Sequence, residues 1–156
     1  LQVELGHISL PSSVKEALNK RIGASSFITV EDLFSGKGLS DLYKAITSGK
    51  IKSGEVISKA HLEKTDHEAT YTLELFSEML GLMTRELIVQ YLPFGGIYFA
   101  GSVSRAVFNA KVTSKFEKAF KEDSHYLKDL EKFQINLITD DAAGLLGCGV
   151  LSEARV

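Results

Sequence analysis

The sequence has 156 residues, room for one domain able to bury roughly two-thirds of the surface that its unfolded chain exposes. Hydrophobic residues make up 44% and charged residues 24%, and eighteen basic against twenty acidic side chains give a formal charge of −2. That balance lacks the electrostatic footprint of a nucleic-acid or anionic-membrane binder, and no run of 18 apolar residues reads as a membrane span.

Cys148 is the only cysteine, so an internal disulfide and a Cys-rich zinc site are excluded, and a reducing cytosol fits. The chain opens at Leu1 and its first residues do not resemble a signal peptide. Residues 2–10 alternate loosely (Val3, Leu5, Ile8, Leu10) and are expected to be extended. Ser13-x-x-Glu16 has the form of a capping box, in which Ser satisfies an orphan N–H and Glu reaches back. The helix it opens runs to about Ile22, with Ala17, Leu18 and Ile22 on its buried side, and Gly23 stops it. Thr29 is suited to cap a short helix over Val30–Phe34, and Ser35-Gly36-Lys37-Gly38 reads as a turn. Leu39, Leu42, Tyr43 and Ile46 repeat at helical spacing. Turns at Ser48-Gly49-Lys50 and Ser53-Gly54 precede a short helix over Val56–Leu62.

A second Ser/Thr-x-x-Glu pattern, Thr65-x-x-Glu68, opens the longest element, about Asp66 to Leu92. Ala69, Leu73, Phe76, Leu80, Met83 and Leu87 step by four and three residues and form one apolar stripe, which Leu75, Met79 and Leu82 widen. Gly81 within it costs up to about 1 kcal/mol relative to alanine and marks a close helix crossing. Then Ile97–Ala100 reads as a strand, Gly101-Ser102 as a tight turn, and a helix begins near Ser104. Glycine in such a turn permits positive φ and lets a ligand approach the main chain. In open α/β sheets ligands sit just outside the carboxyl ends of strands. The same residues also describe an ordinary strand-to-helix connection with no ligand.

Arg105–Lys121 is helical with a break near Thr113. Lys111, Lys115, Lys118 and Lys121 share a face there, but Glu117, Glu122 and Asp123 are interleaved, so the face is a solvated one. Phe133–Thr139 alternates as a second strand, and a helical connection between two strands predicts a parallel crossover. A final helix spans Ala142–Ala154, and Gly144, Gly147 and Gly149 within it suggest close approach to another backbone. His61, His67 and His125 are scattered and read as surface or helix-cap residues. Neither a Gly-x-Ser-x-Gly elbow nor a His-Glu-x-x-His pattern is present.

Four blocks, in chain order, resemble motifs of bacterial-type glucokinases within the actin–hexokinase superfamily. Glu4-Leu-Gly-His7 resembles the Glu-Gly-Gly-His sugar motif, and Glu31-Asp-Leu-Phe-Ser-Gly-Lys-Gly-Leu39 the Glu-x-x-x-Ser-Gly-x-Gly-Leu segment. Phe94-Gly-Gly-Ile-Tyr-Phe-Ala-Gly-Ser-Val resembles the adenosine segment. Asp141-Ala-Ala-Gly-Leu-Leu-Gly147 resembles the closing Asp-Asn-Pro-Gly-Leu-Leu-Gly. The resemblance implies an α/β, ribonuclease H-like (actin-like ATPase) fold in its helix-rich second half, with a small mixed sheet. It implies residues 1–140 as the large carboxy-terminal domain, incomplete at its start, and 141–156 as a closing helix returning to an absent amino-terminal domain. It implies glucose held by Glu4, His7 and Glu31, and ATP at Gly101 and Ser102 with Mg²⁺. The catalytic Asp and the Gly-rich phosphate loops lie upstream in that family, so the expected activity is ATP-dependent phosphorylation of glucose by a longer cytoplasmic parent. A homodimer follows from the same resemblance.

Taken alone, Glu4, His7 and Glu31 read as surface charges. Chemically they suit a sugar, because carboxylates accept hydroxyl hydrogens and neutral imidazole offers one donor and one acceptor. The sequence departs from the family at Leu5, which replaces a glycine beside the sugar, and at Ser102, which replaces the second glycine of the adenosine turn. The rival expectation is a catalytically silent sugar-binding or regulatory protein of the same fold.

Overall fold

The computed structural model describes residues 4–23, 26–122 and 132–153. Expectations placed on Val3, Asp123, His125 and Ala154 lie outside them. The four-and-three apolar stripe forms α5 (His67–Tyr91), the element on which most others pack. Ala69, Leu73, Phe76, Leu80 and Met83 are buried, and Leu75, Met79 and Leu82 are buried too, so the helix is covered on more than one side. Its buried polar groups are satisfied: the Thr72 and Thr84 hydroxyls donate to the carbonyls four residues back, and Ser77 Oγ donates to the Val112 carbonyl at 3.0 Å.

Around α5 lie α1 (Ser12–Ile22), α2 (Val30–Leu33), α3 (Gly36–Ile46) and α4 (Gly54–Leu62). They contribute Val14, Leu18, Leu33, Leu39, Leu42, Tyr43 and Ile57 to the main core. Between the strands β1 (Ile97–Phe99) and β2 (Ile135–Leu137) come α6 (Ser102–Asn109) and α7 (Thr113–Lys121), and α8 (Ala143–Glu153) follows. The break expected near Thr113 is the Ala110–Val112 connection, where Lys111 takes φ 56°. The sheet, expected to be mixed, consists among the described residues of β1 and β2 paired parallel, Ile97 opposite Ile135 and Phe99 opposite Leu137. Antiparallel pairing is confined to an isolated bridge between Ser9 and Thr29. A second core cluster of Leu80, Ile88, Phe116, Phe120 and Phe133 joins this sheet to α5 and α7.

At Gly81 the crossing is close. A Cβ there would lie 2.4 Å from the Phe116 carbonyl oxygen and 3.1 Å from Ala119 Cβ, so α7 could not pack against any larger residue.

Three local expectations are corrected. Neither Ser13 nor Thr65 caps its helix. Pro11 precedes α1, whose N-terminus has no side-chain cap, and Ser13 Oγ donates instead to Glu86 Oε1 of α5 at 2.7 Å. Asp66 caps α5, accepting from the Ala69 N–H at 3.1 Å, while Thr65 Oγ1 donates back to the Ala60 carbonyl. The segment expected to be extended contains a one-turn 3₁₀ helix, Leu5–His7. Finally, Ser35–Gly38 is the N-cap and first turn of α3, with Ser35 Oγ accepting from the Gly38 N–H.

Candidate functional site

Glu31 and His7, far apart in sequence, meet because two short elements dock together. The 3₁₀ turn is closed by the His7 N–H donating to the Glu4 carbonyl at 3.2 Å. The chain after it runs beside the entrance to α2, with Val30 N donating to the Ile8 carbonyl and Leu10 N to the Ile28 carbonyl. α2 in turn is held by a capping box: Thr29 Oγ1 accepts from the Asp32 N–H, and Asp32 Oδ2 accepts from the Thr29 N–H at 2.8 Å. These contacts, the Thr29 N–H first, hold the Asp32 carboxyl below its ordinary pKa. With Asp32 committed to the cap, Glu31 is left to face His7. The distance from His7 Nδ1 to Glu31 Oε2 is 3.8 Å, and their side chains are 74% and 64% exposed.

Gly6 lies inside this 3₁₀ turn without taking a positive φ. Its role is proximity, since a Cβ on it would lie 3.4 Å from Glu31 Cβ and 3.6 Å from Oε2. Leu5, the departure from the sugar motif, packs against the main core. Glu4 opens the same turn and is exposed, and among the described residues no hydrogen bond or ion pair joins its carboxylate to His7 or Glu31.

The rest of the Glu31–Leu39 segment sets the backbone behind this pair. Ser35 caps α3 and Leu39 enters the core. Gly38 sits so close to α2 that a Cβ would lie 2.1 Å from the Leu33 carbonyl oxygen. Glu31 therefore stands on a short, doubly capped unit.

The turn after β1 is tighter than the sequence predicts: Gly101 is the N-cap and α6 begins at Ser102 rather than near Ser104. Gly101 takes φ 95°, ψ 164°, a conformation strained for any residue with a Cβ, and nothing lies within 4 Å of where that Cβ would be. A cavity of about 430 Å³ opens on one side of this turn, bounded by α3, α4 and α6, and one of about 240 Å³ lies on the other side beside Phe34, Phe76 and Leu80. Ser102 borders both. Among the described residues no cluster of three or more His, Cys, Asp or Glu could hold a metal ion.

Against this geometry the comparisons with known proteins fall into place. The sequence profile of the family described as Glucokinase matches residues 1–155. The chain belongs to the glucokinase family. A glucokinase of Psychromonas ingrahamii is 28% identical over 154 residues, covering 94% of this chain and 48% of that protein. A glucokinase-like protein of Xylella fastidiosa is 27% identical, covering 94% of this chain and 46% of its own length. The crystal structure of a glucokinase from an Antarctic psychrotroph superposes with a TM-score of 0.77 at 24% identity, covering 96% of this chain and 49% of the other. The fold is therefore the α/β, helix-rich one expected from the family resemblance. The chain spans about half the length of the curated relatives it matches.

Two features escaped sequence reasoning. Arg105, just after the adenosine-like segment, donates to Asp141 Oδ1 and so ties α6 to the approach to α8. Only an opposite-charge pair 36 residues apart hinted at this. His61 is neither a free surface residue nor a cap: Nε2 lies 2.8 Å from the Ala110 carbonyl and Nδ1 3.0 Å from Thr70 Oγ1, joining α4 to α5 and to the α6–α7 connection. Because a carbonyl only accepts, Nε2 carries hydrogen.

Proposed function

We propose that this chain is the carboxy-terminal half of a glucokinase that transfers the γ-phosphoryl group of ATP to glucose. The observation that carries this reading is the His7–Glu31 pair, exposed, with Glu31 on the capped α2 and His7 on the docked 3₁₀ turn, at the positions of two family motifs. In this reading Glu31 accepts hydrogens from sugar hydroxyls, His7 both donates and accepts, and Glu4 completes the ring of polar groups. A site built this way rejects sugars lacking those hydroxyls, because its own polar groups would lose their partners. Gly101 and Ser102 take the nucleotide, Gly101 by leaving the main chain open and Ser102 through its hydroxyl.

Phosphoryl transfer also needs a base for the attacking hydroxyl and donors around the phosphates. We assign these to the other half of the parent, as the family resemblance implies. Mg²⁺ is held by one or two carboxylates together with the phosphates of a nucleotide, and we assign it to the phosphates and the other half of the parent. α8 supports the two-part reading: Leu145, Leu146, Val150 and Leu151 are 61–77% exposed, an apolar surface that the other half would cover. Dimerisation of that parent and a cytoplasmic site of action belong to the same proposal. No described helix is long and apolar enough to cross a membrane.

A coupled assay on the longer parent tests this. Glucose 6-phosphate formed from glucose and ATP is the expected result. Glucose binding without phosphoryl transfer would transfer the reading to a silent sugar-binding protein of the same fold.

A further inference from the structure

The cavity between α3, α4 and α6 carries chemistry that the nucleotide turn alone does not explain. Its walls include Leu39, Val103 and Ala106, and its polar side chains are Glu55 and Ser58 of α4 and Ser102 at the start of α6. At about 430 Å³ it falls in the range of small-molecule sites, whereas the hollow of about 240 Å³ across the turn is below it. Ser58 Oγ already donates to the Gly54 carbonyl at 2.8 Å, so it has only acceptor capacity left for a ligand. Glu55 is exposed, and its carboxylate makes no hydrogen bond or ion pair among the described residues.

We propose that Glu55 reads the ribose of the bound nucleotide, so that this cavity prefers ribonucleosides to 2′-deoxyribonucleosides. The proposal rests on Gly101–Ser102 being the nucleotide turn. A carboxylate at the rim repels phosphate, so the phosphates leave across Gly101 and the uncharged nucleoside end occupies the cavity. The flat base lies on Leu39, Val103 and Ala106. The sugar is then the part beside Glu55, and a carboxylate accepts two vicinal hydroxyl hydrogens at once, as acidic residues do on ribose in dinucleotide sites. Removing the 2′-hydroxyl removes one charge-assisted hydrogen bond, which corresponds to a loss of about tenfold in affinity.

The test uses the 156-residue chain and two uncharged probes, adenosine and 2′-deoxyadenosine, titrated to about ten millimolar while amide resonances are followed. Adenosine should move the amides of Ser58, Val103 and Ala106 and bind about tenfold more tightly than its deoxy analogue. Glu55→Gln should shrink that ratio below about twofold without altering the rest of the spectrum. If both nucleosides shift these amides equally, or if Glu55→Gln keeps the full ratio, the ribose assignment is overturned and the nucleotide turn stands. If neither probe moves residues 101–106, the turn assignment and the ribose assignment fall together.

Discussion

Glu31 and Asp32 are adjacent carboxylates with unlike duties. Asp32 is consumed by backbone donors at the start of α2, and Glu31 faces His7 across 3.8 Å. In the family motif only Glu31 is fixed, and the structure explains why its neighbour matters: without the cap, α2 would not hold Glu31 in place. Glu31→Gln in the longer parent keeps the shape but turns one acceptor into a donor. Charge-assisted hydrogen bonds contribute about 1.5–3 kcal/mol each, so glucose should bind at least about tenfold more weakly. His7→Ala should do the same, and ATP affinity should change little, because Gly101 and Ser102 belong to a separate turn. Calorimetry with both ligands checks this, and unchanged glucose binding in both variants would remove the sugar assignment. Gly38 offers a second check at this scale. Its missing Cβ would lie 2.1 Å from a backbone oxygen, a clash no rotamer change relieves, so Gly38→Ala should lose about 2–3 kcal/mol or more by urea denaturation.

Elements were legible where a pattern repeats over several turns. The element expected from about Asp66 to Leu92 on the stripe from Ala69 to Leu87 matches α5 to within a residue at each end, because a long apolar period outweighs local competition. Helix starts were less legible, since Ser, Thr and Asp compete for the same role within one or two positions. At α5 Asp66 prevails over Thr65 because its carboxylate also meets Lys52 Nζ at 2.5 Å and the Tyr43 hydroxyl at 2.8 Å. At α1 Ser13 is drawn to Glu86 by a contact 73 residues distant, which no local pattern announces. Likewise, the 3₁₀ turn at Leu5–His7 is too short to show a period, so the segment reads as extended. The Asp66 network has a pH consequence. Lys52 foremost, then the Tyr43 hydroxyl and the Ala69 N–H, hold the Asp66 carboxyl well below the usual range, with burial opposing them. A carboxylate whose folded pKa is lowered contributes stability that is fully present above its unfolded pKa, about 3.9, and is lost as pH falls through the folded value. Asp66→Asn keeps an oxygen for the cap but removes the charge. It should therefore lower stability at pH 7 by about 1–2 kcal/mol and show a shallower further loss between about pH 4 and pH 2 than the parent chain. Urea midpoints across that range measure both, and parallel pH profiles would show that the Lys52–Asp66 pair contributes nothing.

For the whole molecule, the question is what α8 is for. Its glycines, Gly144, Gly147 and Gly149, have nothing within 4 Å of where a Cβ would sit, and none of its residues is buried. Sequence alone marked those glycines as a close approach to another backbone, and among the described residues no such approach occurs. What attaches the helix is Arg105 reaching Asp141 at its start, an exposed carboxylate whose contribution water screens. A helix of eleven residues is marginal in water without packing. On the function proposed above, the apolar residues Leu145, Leu146, Val150 and Leu151 are covered by the amino-terminal half of the parent. In the isolated chain, then, amides of 145–153 should exchange with solvent orders of magnitude faster than those of 72–84 in α5, where exchange requires opening of the main core. In the longer parent the same amides should slow towards the α5 rate. Hydrogen exchange on both proteins decides it. If α8 in the isolated monomeric chain is as slow as α5, the helix is stable without a partner and the two-part reading of this molecule loses its structural support.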